Sequence, residues 1–160
     1  MPIIATSKSD APREMPEADL HNALCVFVED VGWQKNHFDP EKPAQHKVLV
    51  FWELQAKMTD GKPFMLSKRY TLSLHEKATL RHDLEAWRGK PFTEEEMDGF
   101  DIEKLIGVQC RLVVVHKATK QGGTRAEVST IMKADPNAKM QRVNTTPPKW
   151  IEDERSRALK

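Results

Sequence analysis

The hydrophobic period of the chain changes within residues 64–107, from that of a strand to that of a helix. The first residues alternate between apolar and polar side chains, which is typical of a strand with one buried face. Leu80, Leu84 and Trp87 then recur at helical spacing, and a glycine and a proline follow soon after. Thr93, with a glutamate three residues later, is a capping box that predicts a second, shorter helix.

Strand-like runs lie on both sides of this helical region. The sequence predicts five strands, at residues 23–29, 47–58, 64–74, 108–117 and 125–133. A helical insertion after the third of five strands is the element order of the OB-fold, a small barrel that often binds single-stranded nucleic acid. The sequence therefore predicts a mainly β fold with a helical insertion, a closed five-stranded OB-fold barrel with its helix between strands 3 and 4.

The two ends of the chain differ in composition from the middle. Residues 1–20 contain three prolines and mixed charges, and residues 135–160 are polar with three further prolines and no sustained period. Such segments bury little apolar surface. We therefore expect a flexible N-terminal arm over residues 1–20, an OB-fold domain over 21–134, and a flexible C-terminal tail over 135–160.

Signatures of catalysis and of membrane insertion are missing from the sequence. It contains no glycine-rich phosphate loop, no nucleophile elbow, no paired histidines at zinc spacing and no Cys-x-x-Cys. This predicts a protein that is not an enzyme and that uses no cofactor and no metal. The chain also has no apolar run of membrane-spanning length and no secretory signal, so we expect a cytoplasmic protein without a membrane partner.

Positive charge is concentrated on the predicted strands. The net charge of the chain is only +1, but residues 46–74 carry five basic and two acidic side chains, and residues 108–133 carry five and one. Residues 1–45 and 75–107 are each net acidic. If the strands share a face, that face is basic although the molecule is almost neutral, which favours a nucleic-acid partner.

Candidate contacts follow from the alternation along strand 2 and from the long predicted loop at residues 30–46. Val48, Val50 and Trp52 would point into the core, and Lys47, Phe51 and Lys57 would lie on a half-exposed binding face. Aromatic residues of the loop, which include His37 and Phe38, would either stack on bases or plug one end of the barrel. The predicted DNA-binding residues are Trp33, Lys35, Lys47, Phe51, Trp52, Lys57, Arg69, Tyr70, Arg111, Lys117, Lys120 and Arg125. Trp52 and Tyr70 belong to this set only if the face assignment shifts by one residue.

The run that begins at SKRYTLSL and ends at VVVH, densest in YTLSL, LEAWRG and GFD, resembles a family of small bacteriophage-encoded proteins. The resemblance covers residues 22–133. It implies an OB-fold single-stranded-DNA-binding protein of phage DNA replication or recombination, which would act in the host cytoplasm. The matched residues are scaffold residues and imply no list of contacts. The chain ends in IEDERSRALK instead of the acidic tip of bacterial single-strand-binding proteins, so recruitment of partners through such a tip is not implied.

The sequence thus predicts a non-enzymatic, sequence-tolerant single-stranded-DNA-binding protein, with replication or recombination proteins as further candidate partners. An OB-fold protein-binding adaptor or inhibitor without direct DNA contact is the alternative, and its contact surface would be the acidic helices. Strand edges left open could also pair two copies into a homo-oligomer.

Overall fold

Five strands form one antiparallel sheet in a computed structural model of the chain, which describes residues 14–36, 39 and 41–158. The strands are β1 (Leu20–Gln34), β2 (Gln45–Lys57), β3 (Pro63–Thr71), β4 (Gln109–Ala118) and β5 (Thr124–Met132). The helices are α1 (Thr79–Arg88), α2 (Glu94–Asp98) and α3 (Ile151–Ser156), with a 3-10 turn at Ile102–Leu105. The predicted mainly β fold, with its helical insertion between strands 3 and 4, is confirmed.

The sheet is open, whereas we expected a closed barrel. Its strand order is β3-β2-β1-β4-β5, so β3 and β5 are the two edge strands. No ladder joins these two edges among the described residues, although they lie near each other. A groove lies between them, and side chains from both edges line it together with Pro148 and Trp150.

The inner face of the sheet carries the main core. Val48, Val50 and Trp52 of β2 are buried as the alternation predicts, and they share one cluster with Leu84 and Trp87 of α1. Each such side chain contributes about 1.5–3 kcal/mol when fully removed from water. This packing holds α1 against the sheet.

The outer face of the sheet is also covered, and the cover is the segment predicted to be a flexible tail. We call residues 135–158 the C-terminal strap. Its Ile151 is buried in a second cluster with Leu49 and Phe51 of β2 and with Val26 and Phe27 of β1. The predicted half-exposed face of β2 is therefore wrong, because a distant part of the chain packs on it.

Polar groups of the sheet fix the strap in place. The carboxylate of Glu53, only 1% exposed, accepts hydrogen bonds from the backbone N–H groups of Val143 and Asn144. Further along the strap, Arg155 donates to the carboxylate of Glu29 at 2.6 Å. These contacts satisfy a buried charge that would otherwise be costly.

Other boundaries also differ from expectation. The predicted loop at residues 30–46 is shorter, because β1 continues to Gln34 and β2 already begins at Gln45. The predicted loop residues His37 and Phe38 lie outside the described residues, as do residues 1–13 of the predicted arm. Residues 14–19 lie beside the sheet, where the carbonyl oxygen of Pro16 is 2.7 Å from the ring nitrogen Nε2 of His116.

Among the residues that the structure describes, no helix has the length and the apolar character needed to cross a bilayer.

Candidate nucleic-acid interface

The gap between the two sheet edges forms a groove of about 690 Å³, which we call the β3–β5 groove. Residues 65–69 of β3 form one wall and residues 125–128 of β5 form the other. Its remaining lining residues are Leu49, Phe51, Pro148 and Trp150. The groove exists because the sheet does not close.

Two arginines approach the groove from opposite walls. Arg69 of β3 is exposed, and its Nη2 lies 3.3 Å from a carboxylate oxygen of Glu154 in the strap. Arg125 of β5 is exposed and donates from Nε to Glu127 at 2.7 Å, and Lys117 reaches the same carboxylate at 3.4 Å. The Arg125 hydrogen bond lowers the pKa of Glu127 below its ordinary value despite some desolvation. Exposed pairs of this kind are weak, so a phosphate can exchange with the carboxylates.

Trp150 is the aromatic residue that the groove presents to solvent. It is 44% exposed, and its ring centroid lies 5.6 Å from that of Phe51. Sequence reasoning did not include it among the binding residues. The only signal was the short run Lys149, Trp150, Ile151 within an otherwise polar tail.

A second cavity, of about 560 Å³, adjoins the groove near the end of β3, and we call it the Lys47 pocket. It shares Lys68 and Arg69 with the groove. Lys47 is half-buried there, and its ammonium group donates to the hydroxyl of Thr71 at 2.6 Å. Burial lowers the pKa of Lys47 below its ordinary value, and the nearby Arg69 guanidinium lowers it further.

A third cavity lies at the other end of β3. It shares Met65, Leu66, Arg125 and Ala126 with the groove. It also reaches Thr119 and Thr124, which flank the β4–β5 turn. The three cavities thus follow β3 along its free edge. At about 3.3 Å per residue, a strand of this length spans roughly 27 Å.

The three strand aromatics predicted as stacking platforms are buried. Phe51 is 2% exposed because the strap covers it, so its prediction as an exposed stacking ring is wrong. Trp52 packs in the core against Trp87, with ring centroids 6.0 Å apart. Tyr70 is buried too, and its hydroxyl donates to Asp83 of α1 at 2.6 Å. Neither Trp52 nor Tyr70 is placed to stack on a base.

Trp33 is 55% exposed but lies away from the groove. Its ring stacks on His46 with centroids 5.4 Å apart. Trp33 pairs with His46 across the ladder, whereas Lys47 pairs with Gly32. Because successive residues of a strand face opposite sides, Trp33 and Lys47 lie on opposite faces of the sheet.

The remaining predicted cations are dispersed. Lys35 follows β1, Lys57 ends β2 and Lys120 lies in the β4–β5 turn, and all three are exposed. Arg111 lies near the start of β4, far along the strand from Lys117, and donates to the backbone carbonyl of residue 133 at 2.8 Å. Of the predicted cations, the structure therefore brings Lys47, Arg69 and Arg125 to the groove and its adjoining pocket, with Lys117 beside them through Glu127. The buried rings of Phe51 and Tyr70 also contribute to the lining of these two cavities.

Comparison of the chain with protein-family models and with curated proteins finds no match in either case. Within the described part of the chain, no group of three or more His, Cys, Asp or Glu side chains could hold a metal ion.

Proposed function

We propose that this protein is a non-enzymatic, sequence-tolerant single-stranded-DNA-binding protein whose ligand lies along the β3–β5 groove. One observation carries the proposal. Two exposed arginines, Arg69 and Arg125, approach from opposite walls of a groove that a half-exposed tryptophan, Trp150, also lines.

Each part of this arrangement suits an unpaired strand. Arginine side chains neutralise phosphates whatever the base sequence, and binding of this kind weakens with salt. An aromatic ring accepts any base on its face and contributes about 1–3 kcal/mol per stacked base. A duplex hides the faces of its bases in its own stack, so stacking on Trp150 favours a single strand.

The fold supports the same class of protein. The strand order, together with a helix between β3 and β4, is that expected of a partly open OB barrel whose gap falls between β3 and β5. We therefore propose that the chain is of the OB type. Its resemblance to phage-encoded proteins suggests a role in phage DNA replication or recombination.

The proposal is tested by titrating labelled oligo(dT), and a duplex of the same length, against the protein at two salt concentrations. Tight, salt-sensitive binding that prefers the single strand is expected. Replacing Arg69 by methionine should reduce the salt slope by about 0.7 for each phosphate that the side chain no longer neutralises. Lys57→Met is the matched control, because Lys57 is an exposed β2 cation that lines neither the groove nor its adjoining cavities.

The contribution of the ring is tested separately. Trp150→Leu keeps an apolar contact to Phe51 but removes the aromatic face, and it should weaken binding by roughly 5- to 150-fold. Trp150→Phe should restore most of the affinity. Absence of oligonucleotide binding even at low salt would reject the proposal and leave the protein-binding adaptor as the better account.

A further inference from the structure

The charged side chains that line the Lys47 pocket are all basic. Lys47, Lys68, Arg69 and Lys77 are basic, and His75 lies among them. None of the described residues that line the pocket is acidic. The β3–β5 groove differs, because Glu127 is part of its wall.

Two of these cations have carboxylate partners that lie outside the pocket. Lys68 pairs with Asp83 at 2.7 Å, and Arg69 pairs with Glu154 at 3.3 Å. Neither Lys47 nor Lys77 forms an ion pair with any residue that the structure describes. The pocket therefore has an excess of positive charge, part of it on a half-buried lysine, where a bound anion is worth more than at an open surface.

The remaining groups at the pocket are suited to donate hydrogen bonds. Four hydroxyl side chains line it. That of Tyr70 donates to Asp83 and that of Thr71 donates to Gln45, which leaves those of Ser73 and Thr79 as donors. The Nδ1 atom of His75 lies 3.3 Å from the backbone nitrogen of Lys77 and accepts its hydrogen, which leaves the ring proton on Nε2. Next to these residues α1 begins, with no side-chain cap at Ala78 and no acidic residue in the first turn. The helix start adds to the preference for an anion that the lysines create.

We infer that the Lys47 pocket binds a phosphate group through Lys47, Lys77 and Arg69. Phosphate matches both the charge and the number of donors, because it carries up to two negative charges and several acceptor oxygens. The pocket shares Lys68 and Arg69 with the β3–β5 groove, so a strand in the groove can extend a phosphate into it. Binding of a phosphate from a nucleic-acid strand rests on the proposed function, whereas free phosphate would bind to the pocket even if the proposed function is wrong.

Binding of free phosphate to the pocket is tested by amide NMR of the whole chain. The protein is titrated with sodium phosphate, and a parallel titration with sodium chloride at the same ionic strength is the control. Saturable shifts are expected at the amides of Lys77 and of the first turn of α1. Lys77→Met, in an exposed connection, should weaken phosphate binding about tenfold or more, and Lys47→Met should do the same. Lys57→Met should leave it unchanged. Shifts that are no larger with phosphate than with chloride, or equal losses in the Lys77 and Lys57 variants, would overturn the assignment.

The nucleic-acid source is tested with oligo(dT) that carries a phosphate at its 5′ end, at its 3′ end or at neither. A terminal phosphate has more charge than an internal one, so one of the two phosphorylated forms should bind several-fold more tightly. Lys77→Met should remove that advantage. If oligonucleotides bind but neither end phosphate nor Lys77→Met changes the affinity, the oligonucleotide is not the source of the phosphate, and the proposed function stands. If free phosphate binds but oligonucleotides do not, the proposed function is wrong and the pocket stands.

Discussion

Replacing Glu53 by glutamine would show how strongly the C-terminal strap is held on the sheet. The Glu53 carboxylate is 1% exposed and accepts from the backbone N–H of Val143 at 3.0 Å and from that of Asn144. Both N–H groups reach Oε1, and that of Val143 also reaches Oε2, so a glutamine with its oxygen at Oε1 keeps one acceptor but places an NH₂ group against the N–H of Val143. The variant therefore loses about one hydrogen bond to a charged group, or roughly 1.5–3 kcal/mol of the free energy of unfolding.

For a chain of this size, 1 kcal/mol corresponds to about 2–4 °C in Tm, so Glu53→Gln should lower Tm by roughly 3–12 °C. Thermal and urea denaturation, followed by tryptophan fluorescence, measure this change. Glu76→Gln is the control, because Glu76 is exposed and its replacement should change stability by no more than about 0.5 kcal/mol. Equal Tm values for the two variants would refute the claim that the buried carboxylate anchors the strap.

Three further changes test other parts of the structure. The hydrogen bond from Arg88 is the main cause that holds the pKa of Glu96 below its ordinary value. The ionised Glu96 carboxylate therefore stabilises the fold fully at pH values above its ordinary pKa, and this stabilisation is lost as pH falls through the lowered pKa. Stability measured between pH 6 and pH 3 should therefore fall less steeply in Glu96→Gln, and identical slopes would contradict this. Tyr70→Phe removes a buried hydroxyl bonded to Asp83 at 2.6 Å and should cost about 1–3 kcal/mol in urea denaturation, whereas an unchanged midpoint would refute the bond. Gly32→Ala should lower Tm, because Gly32 has a φ of +79° and an added Cβ would lie 2.9 Å from a side-chain carbon of the strap; an unchanged Tm would refute that close approach.

Local patterns were sufficient to predict most of the elements. The alternation of β2 correctly placed Val50 and Trp52 in the core, because one face of the strand packs on a helix that follows soon after β3. The capping box correctly predicted α2, where Thr93 and Glu96 exchange both hydrogen bonds. These features depend on interactions between residues close in sequence or on a simple period.

The cover on the outer face could not be predicted in this way. Phe51 and Glu53 follow the pattern of an exposed strand face, and the residues that bury them lie about a hundred positions later. A glutamate in a strand is predicted to be exposed unless a hydrogen-bond partner for it is known. Here the partners are backbone N–H groups, which cannot be identified from the amino-acid sequence. Ile151 and Trp150 stand alone in a polar segment, so hydrophobic periodicity has nothing to detect.

Only part of the candidate site was predicted, because its geometry also depends on packing between distant parts of the chain. Arg69 and Arg125 were recognised from the charge of their strands, but their placement on opposite walls depends on the open sheet. The predicted stacking ring, Phe51, is covered, and the exposed ring beside it is Trp150 from the strap. Which aromatic residue the groove exposes is therefore decided by tertiary packing.

The most direct test of the groove as the binding site is ultraviolet cross-linking of oligo(dT) to the whole chain, with the attached peptides identified by mass spectrometry. The account predicts cross-links in β3, in β5 and at Trp150, and their disappearance when unlabelled oligo(dT) competes. Cross-links confined to α1, α2 or the region around Trp33, with none at the groove, would contradict it.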